Sequence, residues 1–317
     1  SVSRGLGDVY KRQGYYYLSI PEGGVGEGWQ TILRSKNIYG PYEKKVVLEQ
    51  GNTTVNGPHQ GALVDTPEGE WWFFHFQLTE PLGRVVHLQP VCWMENWPVI
   101  GVDMDMNGIG EPVKVWTKPG VSKSVLVSHP QTTDDFNSYT LGLQWQFNHN
   151  PVNTHWSLNE RRGWLALKAL KAATLRESRN MLTQKCMGYL STATVLLDFS
   201  ALADGQRGGL FCTGSLYNGI GISREEGKNY LYLEKNGDVQ QVKMVSGKKI
   251  YLRVMLDAKK NRCQLFYSFD NRNFILCGDA YSLKFGDWKG ARVGLYSYNT
   301  LGIGGKCYFD WFNYDFN

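Results

Sequence analysis

Glu70-Trp71-Trp72-Phe73-Phe74-His75-Phe76, set between Pro67-Glu68-Gly69 and Pro81-Leu82-Gly83, decides how the first third of this chain is read. The run is aromatic almost throughout, and Pro and Gly stop it at both ends, the one by fixing φ and the other by freeing it. That is the grammar of a short strand between tight turns. It extends outward to Tyr15 to Ile20, Thr31 to Ser35, Gly61 to Val64, Val85 to Leu88 and Val91 to Met94, with Gly40-Pro41 marking a further turn. Tyr15 to Val46 and Gly61 to Pro98 each approach the period of roughly 40 to 50 residues that propeller blades repeat. Two blades do not close a ring, and an open antiparallel sheet reads the stretch about as well.

Before Gly14 the pattern fails. Ser1 to Gln13 shows no period and runs abruptly into a sheet-like sequence. We expect residues 1–13 to be a non-matching segment, an artefact of sequence assembly with protein missing upstream of it. After Gly110 alternation fades again through Pro112, Pro119, Gly120 and Pro130. A linker over residues 113–133 therefore separates a domain at 14–112 from a second at 134–317. The second carries further period-2 runs, among them Trp164 to Lys168, Tyr189 to Phe199, Tyr230 to Glu234, Ile250 to Leu256, Gln264 to Ser268, Arg292 to Ser297 and Tyr308 to Tyr314. So many short strands predict a two-sheet sandwich with little helix.

Composition agrees with an all-β fold: 14% aromatic residues, and 36 Gly against 11 Pro. The 317 residues carry 34 Lys+Arg and 29 Asp+Glu, a formal charge of +5, too small an excess to argue for nucleic acid or a membrane surface as partner. No apolar run reaches the roughly 18 residues of a membrane span. The six cysteines, at 92, 186, 212, 263, 277 and 307, are scattered singly, which fits neither a zinc site nor a dense disulfide framework. Free buried thiols are expected, with Cys212 paired to Cys263 or Cys277 as the alternative in an exported protein. Compartment is left open, secretion or a periplasmic home being favoured slightly over the cytoplasm.

Several longer runs together resemble glycoside hydrolase family 43, in its β-xylosidase and α-L-arabinofuranosidase members. They are Tyr15-Tyr16-Tyr17-Leu18, Arg34-Ser35 with Tyr39-Gly40-Pro41-Tyr42, Asn56-Gly57-Pro58-His59-Gln60-Gly61, the Glu70 to His75 run, Gly83-Arg84, and Trp97-Pro98-Val99-Ile100. Leu143 to Pro151, Arg179-Asn180-Met181-Leu182-Thr183-Gln184 and Gly205 to Leu210 extend the resemblance through the second domain. It implies the C-terminal part of a five-bladed β-propeller followed by a concanavalin A-like, jelly-roll sandwich. It also implies an O-glycosyl hydrolase of xylo- or arabino-oligosaccharides, active in xylan degradation with inversion at the anomeric carbon. The alternative is a carbohydrate-binding or structural module without chemistry.

The resemblance implies an Asp base, a second Asp and a Glu acid, all upstream of Tyr15. Where the Glu belongs, this sequence has Leu6-Gly7-Asp8-Val9. No catalytic residue is therefore assigned to the chain, Asp8 included. By the same resemblance Arg84 points into the pocket and contacts substrate hydroxyls, while His59 lies beneath the sugar and helps hold a buried ion or water. Ca²⁺ is the ion if there is one, although it prefers oxygen to a single imidazole. From the residues themselves, His59, Gln60 and Arg84 read as pocket lining or as turn and surface residues. His75 reads as a packed histidine, Glu22 and Glu27 as a pocket rim or a solvated loop, and Trp29, Trp71, Trp72, Trp93 and Trp97 mostly as core. Asn148 to Pro151 and Trp156 read as a loop toward the propeller or a surface turn. The Gly23-Gly24-Val25-Gly26 run lacks the Lys of a phosphate loop, which excludes nucleotide binding.

Overall fold

The computed structural model describes residues 8–120, 128–286, 289–302 and 304–317. Residues 1–7 of the expected non-matching segment and 121–127 of the expected linker lie outside the described residues. The chain divides into two compact units, residues 1–79 with 84–127, and residues 80–83 with 128–317. Among the described residues the helical turns are two 3₁₀ segments, Asn153–His155 and Leu175–Glu177, and nearly everything else regular is strand.

The first unit holds two four-stranded antiparallel sheets, each a meander in chain order, as propeller blades are. One is β1 (Asp8–Arg12), β2 (Tyr15–Glu22), β3 (Trp29–Ser35) and β4 (Glu43–Leu48). The other is β5 (His59–Asp65), β6 (Trp71–Thr79), β7 (Gly83–Met94) and β8 (Trp97–Ile100). Alternation sets which side chains leave water: Tyr17, Ile32, Val47 and Leu48 of the first sheet share one core with Leu63, Phe73 and Ile100 of the second. Burying each of these contributes roughly 1.5–3 kcal/mol. The opposite face of the second sheet shows Val64, Phe74 and Val86 to solvent.

Three features depart from the sequence reading. Residues 8–12, expected not to match, form an edge strand paired in register with Tyr15 to Ser19. The cause is the Gln13–Gly14 pair, whose φ values of 47° and 81° make the two-residue hairpin loop that suits strand twist. Val85 to Leu88 and Val91 to Met94 are one strand, because Pro90 lacks only a donor and its carbonyl still accepts the Gly101 N–H at 2.7 Å. Lys44 and Lys45 conceal β4, whose last two residues are fully buried.

The second unit is a sandwich of two eight-stranded sheets. In spatial order one contains Trp156–Ser157, Leu165–Lys168, Lys306–Phe316, Leu190–Asp198, Lys249–Asp257, Arg262–Ser268 and Ile275–Leu276. Tyr281–Ser282 also pairs with Arg262–Ser268. The other contains Asp238–Met244, Lys228–Lys235, Tyr217–Glu225, Gln206–Thr213, Arg292–Asn299, Leu182–Lys185 and Gln146–Phe147, with Leu170–Lys171 beside Arg292–Asn299. Inward residues such as Ile250, Leu252, Val254 and Leu256 alternate with outward Lys249, Tyr251, Arg253 and Met255. The outer face of the second of these sheets is roofed by Ala172, Leu175 and Met181, packed on Phe211, Tyr217, Tyr232, Tyr296 and Tyr298. Glu234, wholly buried, pins that roof by accepting the Leu175 N–H at 2.7 Å and the Tyr298 hydroxyl at 2.5 Å. All six cysteines are free. Cys212 lies against Cys186 and Cys263 without a disulfide to either, and burial pushes its thiol well above the usual range.

Candidate functional site

His59 opens β5 and is 3% exposed. Its Nδ1 donates to the Gly57 carbonyl at 2.8 Å, and its backbone N–H donates to the same oxygen at 2.9 Å. A carbonyl can only accept, so the ring proton sits on Nδ1 and Nε2 keeps its lone pair. Burial first, and the Arg84 charge after it, hold His59 below the ordinary imidazole range despite the Gly57 hydrogen bond. The ring is therefore a neutral acceptor at pH 7. Gly28 lets it stand where it does: a Cβ there would lie 2.5 Å from Nε2, 2.6 Å from the Glu22 carbonyl and 2.7 Å from the Gly24 carbonyl.

Arg84 is the second residue of β7, with its guanidinium 4.7 Å from the centre of the Phe76 ring. Phe76 in turn lies 5.5 Å from the His59 ring, so the three side chains gather at one end of the second sheet. Gln60 follows His59 in the left-handed region, φ 59°, at the bulge between His59 and Ala62, and its side chain is exposed. Its N–H donates to Oε1 of Gln30 at 3.0 Å. Gln30 was missed by sequence reasoning. It is 1% exposed, and its amide nitrogen also reaches the Ser19 hydroxyl at 3.0 Å and the Ile20 carbonyl at 2.8 Å. One buried amide thus ties the first sheet to the residue next to His59.

His75 is packed, as its default reading held, but both of its nitrogens are engaged. Nδ1 donates to the Phe76 carbonyl at 3.0 Å, and Nε2 accepts from the Gln89 amide at 3.3 Å. Gln89 also accepts the Val113 N–H at 2.8 Å, tying the chain beyond Gly110 to this strand. His87 stacks on His75 at 5.2 Å. Burial pulls His75 down to about 4 and lowers His87 as well. An unfolded imidazole takes its proton near pH 6.5, so between there and pH 4 the unfolded chain binds more protons than the folded one. Stability is then unaffected above that window and falls as pH drops through it, by about 3 kcal/mol from His75 at pH 4. The melting midpoint of the first unit should fall over this range, and less steeply in His75→Gln, which can still accept from Gln89. Equal slopes would refute the assignment.

The remaining candidates are held elsewhere. Glu22 is bound by Lys44 at 2.6 Å, by the Thr31 hydroxyl and by the Trp29 indole at 3.2 Å, and these bonds lower its carboxyl. Glu27 is exposed on its turn. Trp71 and Trp93 pack edge to face at 5.2 Å beside the core and, with Trp72 and Trp116, line a cleft of about 620 Å³. Trp97 lies under the Arg34 guanidinium at 4.0 Å, and Trp29 is partly exposed. In the second unit Asn148 donates to the Tyr217 hydroxyl at 2.9 Å, His149 meets the Arg176 carbonyl at 3.1 Å, and Trp156 donates to Asn153 at 3.1 Å.

For a calcium ion the donor set is poor. Among the described residues no three His, Cys, Asp or Glu side chains gather to hold a metal, and His59 offers one nitrogen where Ca²⁺ takes six to eight oxygens.

Residues 7–98 match the sequence model of glycosyl hydrolases family 43, and residues 133–315 that of the β-xylosidase C-terminal concanavalin A-like domain. A Xylanibacter ruminicola protein, named provisionally as a beta-xylosidase, is 52% identical over 90% of this chain and 53% of its own length. A Formosa agariphila beta-xylosidase is 37% identical over 98% and 59%, and a Bacteroides ovatus non-reducing end alpha-L-arabinofuranosidase 30% over 77% and 47%. The chain thus spans about half the length of these relatives. The crystal structure of a Bacillus licheniformis GH43 protein superposes with a TM-score of 0.84 at 27% identity, over 97% of this chain and 64% of that one. With a match to each unit, and one of them covering more than half of its length, the chain belongs to glycoside hydrolase family 43.

Proposed function

We propose that this chain serves the hydrolysis of terminal xylosyl or arabinofuranosyl residues of hemicellulose oligosaccharides, with inversion, and that its first unit supplies the sugar-orienting side of the pocket. The observation that carries this reading is the gathering of Arg84, Phe76 and His59 at one end of the second sheet. There His59 is a neutral acceptor fixed in one tautomer and Arg84 carries a planar fork of donors. An acceptor and a fork held beside an apolar ring suit vicinal hydroxyls. Inversion needs one carboxyl to protonate the leaving oxygen and another, roughly 6.5–9.5 Å away, to activate water. We assign those two groups to residues other than the ones described here.

Arg84 is given orientation rather than proton transfer, so its loss should act mainly through the transition state. In a chain whose ring is completed with the part of the Xylanibacter ruminicola relative that this chain does not cover, Arg84→Ala should lower kcat/KM about 100-fold. Its pH profile should keep the limbs of the parent. A shifted limb, or full activity in Arg84→Ala, would remove Arg84 from the site.

A further inference from the structure

The two outer faces of the sandwich differ. One is roofed by Leu175 and Met181, whereas the other, on the sheet containing Lys306–Phe316, is open and carries half-buried aromatic rings interleaved with charged and amide groups. A bulge builds its centre. Leu197 pairs with Phe309 and Val195 with Phe312, so Asp310 and Trp311 together oppose Leu196. Phe309 and Phe312 are fully buried, which leaves the two bulged side chains outward over Leu196. Across Leu196 stands Tyr251, its ring 6.1 Å from Trp311. Two pairs further along, Asn313, Thr194 and Arg253 lie in a row, and two pairs in the other direction Tyr308, Asp198 and Lys249 do so. Trp311 and Asn313 also wall a depression of about 310 Å³ with Thr133, Asp134 and Asp135. Burial raises the Asp310 carboxyl although Lys249 and Arg161 oppose it.

We propose that this open face, centred on Trp311 and Tyr251, binds a polysaccharide chain of the hemicellulose class. A sugar ring has an apolar C–H face and a rim of hydroxyls, and each large ring here has donors or acceptors at its side: Asp310, Asn313 and Thr133 by Trp311, Lys249 and Arg253 by Tyr251. A protein partner suits the face less, since interface cores are depleted of the charged groups that alternate with these rings. The assignment uses the proposed function only for the choice of polysaccharide, and it asks nothing of Arg84.

The test is retention of the full chain on insoluble xylan, with calorimetric titration by xylohexaose. Trp311→Ala should weaken binding at least about tenfold and the exposed Asn313→Ala about threefold, with Lys228→Ala, an exposed position on the other sheet, equal to wild type. Each variant is checked by its melting midpoint, and if Trp311→Ala does not fold, Tyr251→Phe and Asn313→Ala decide. Retention unchanged in the variants of this face overturns the proposal, as does wild-type chain that xylan does not retain. Loss in Arg84→Ala alone would place the polysaccharide on the first unit, keeping the proposed function and sinking this one. A dimer that Trp311→Ala dissociates would make the face an interface between copies, and would overturn it too.

Discussion

Mixed with an aryl β-xyloside or α-L-arabinofuranoside at neutral pH, the 317-residue chain is expected to release no phenol above the buffer rate. Acid and base roles contribute roughly 10²- to 10⁴-fold each, and both need carboxyls held in opposed protonation states. In the first unit five of the described carboxylates have other work. Glu22 is taken by Lys44, Thr31 and Trp29, Glu43 by Arg34 at 2.5 Å, and Glu70 by the Gly120 N–H at 2.8 Å. Asp103 caps the Asn107 and Gly108 N–H groups, and Asp105 binds Asn107. The charge that bears on His59 belongs to Arg84. With no opposed pair beside that cluster among the described residues, binding groups without an acid and a base should leave a rate that a discontinuous assay over hours does not separate from blank.

Gly28→Ala should be strongly damaging, because it adds a methyl directly against the His59 ring. The new Cβ would meet the His59 ring, the Glu22 carbonyl and the Gly24 carbonyl, all within 2.7 Å, and two of these are backbone. Neither carbonyl can rotate away, so the turn or the ring must shift. The cost is about 3 kcal/mol, at the upper end of overpacking. Gly24→Ala is the control in the same turn, since a Cβ there meets nothing within 4 Å. Thermal unfolding should show a drop of several degrees for Gly28→Ala and little change for Gly24→Ala. Matching midpoints would mean that the ring does not press on Gly28.

What could be read from the sequence was whatever alternation and turn chemistry express. Trp71 to Phe76 announces its strand because every residue suits a pleated, half-buried surface, and the sandwich strands do so by strict inside-outside alternation. β1 was hidden because five residues are too short for a period, although Gln13-Gly14 was the signal that could have found it. Gln30 was hidden for another reason. A glutamine in a strand reads as a solvent position, and only the second sheet, closing over it with the Gln60 N–H, makes it buried and fully bonded. The roof pinned by Glu234 and the bulge at Asp310 and Trp311 likewise depend on partners distant in the chain. His59 and Arg84 could be picked out by resemblance, but the tautomer of His59 could not, because it is set by the curl of the backbone at Gly57.

The most direct measurement compares initial rates, on one aryl xyloside, of this chain and of the same residues joined to the part of the Xylanibacter ruminicola relative that it does not cover. The account predicts turnover at least about 10⁴-fold faster in the joined protein, abolished when the acid or base in the added part is replaced by its amide. Ordinary turnover by the 317 residues alone, persisting through removal of trace contaminants, would contradict it.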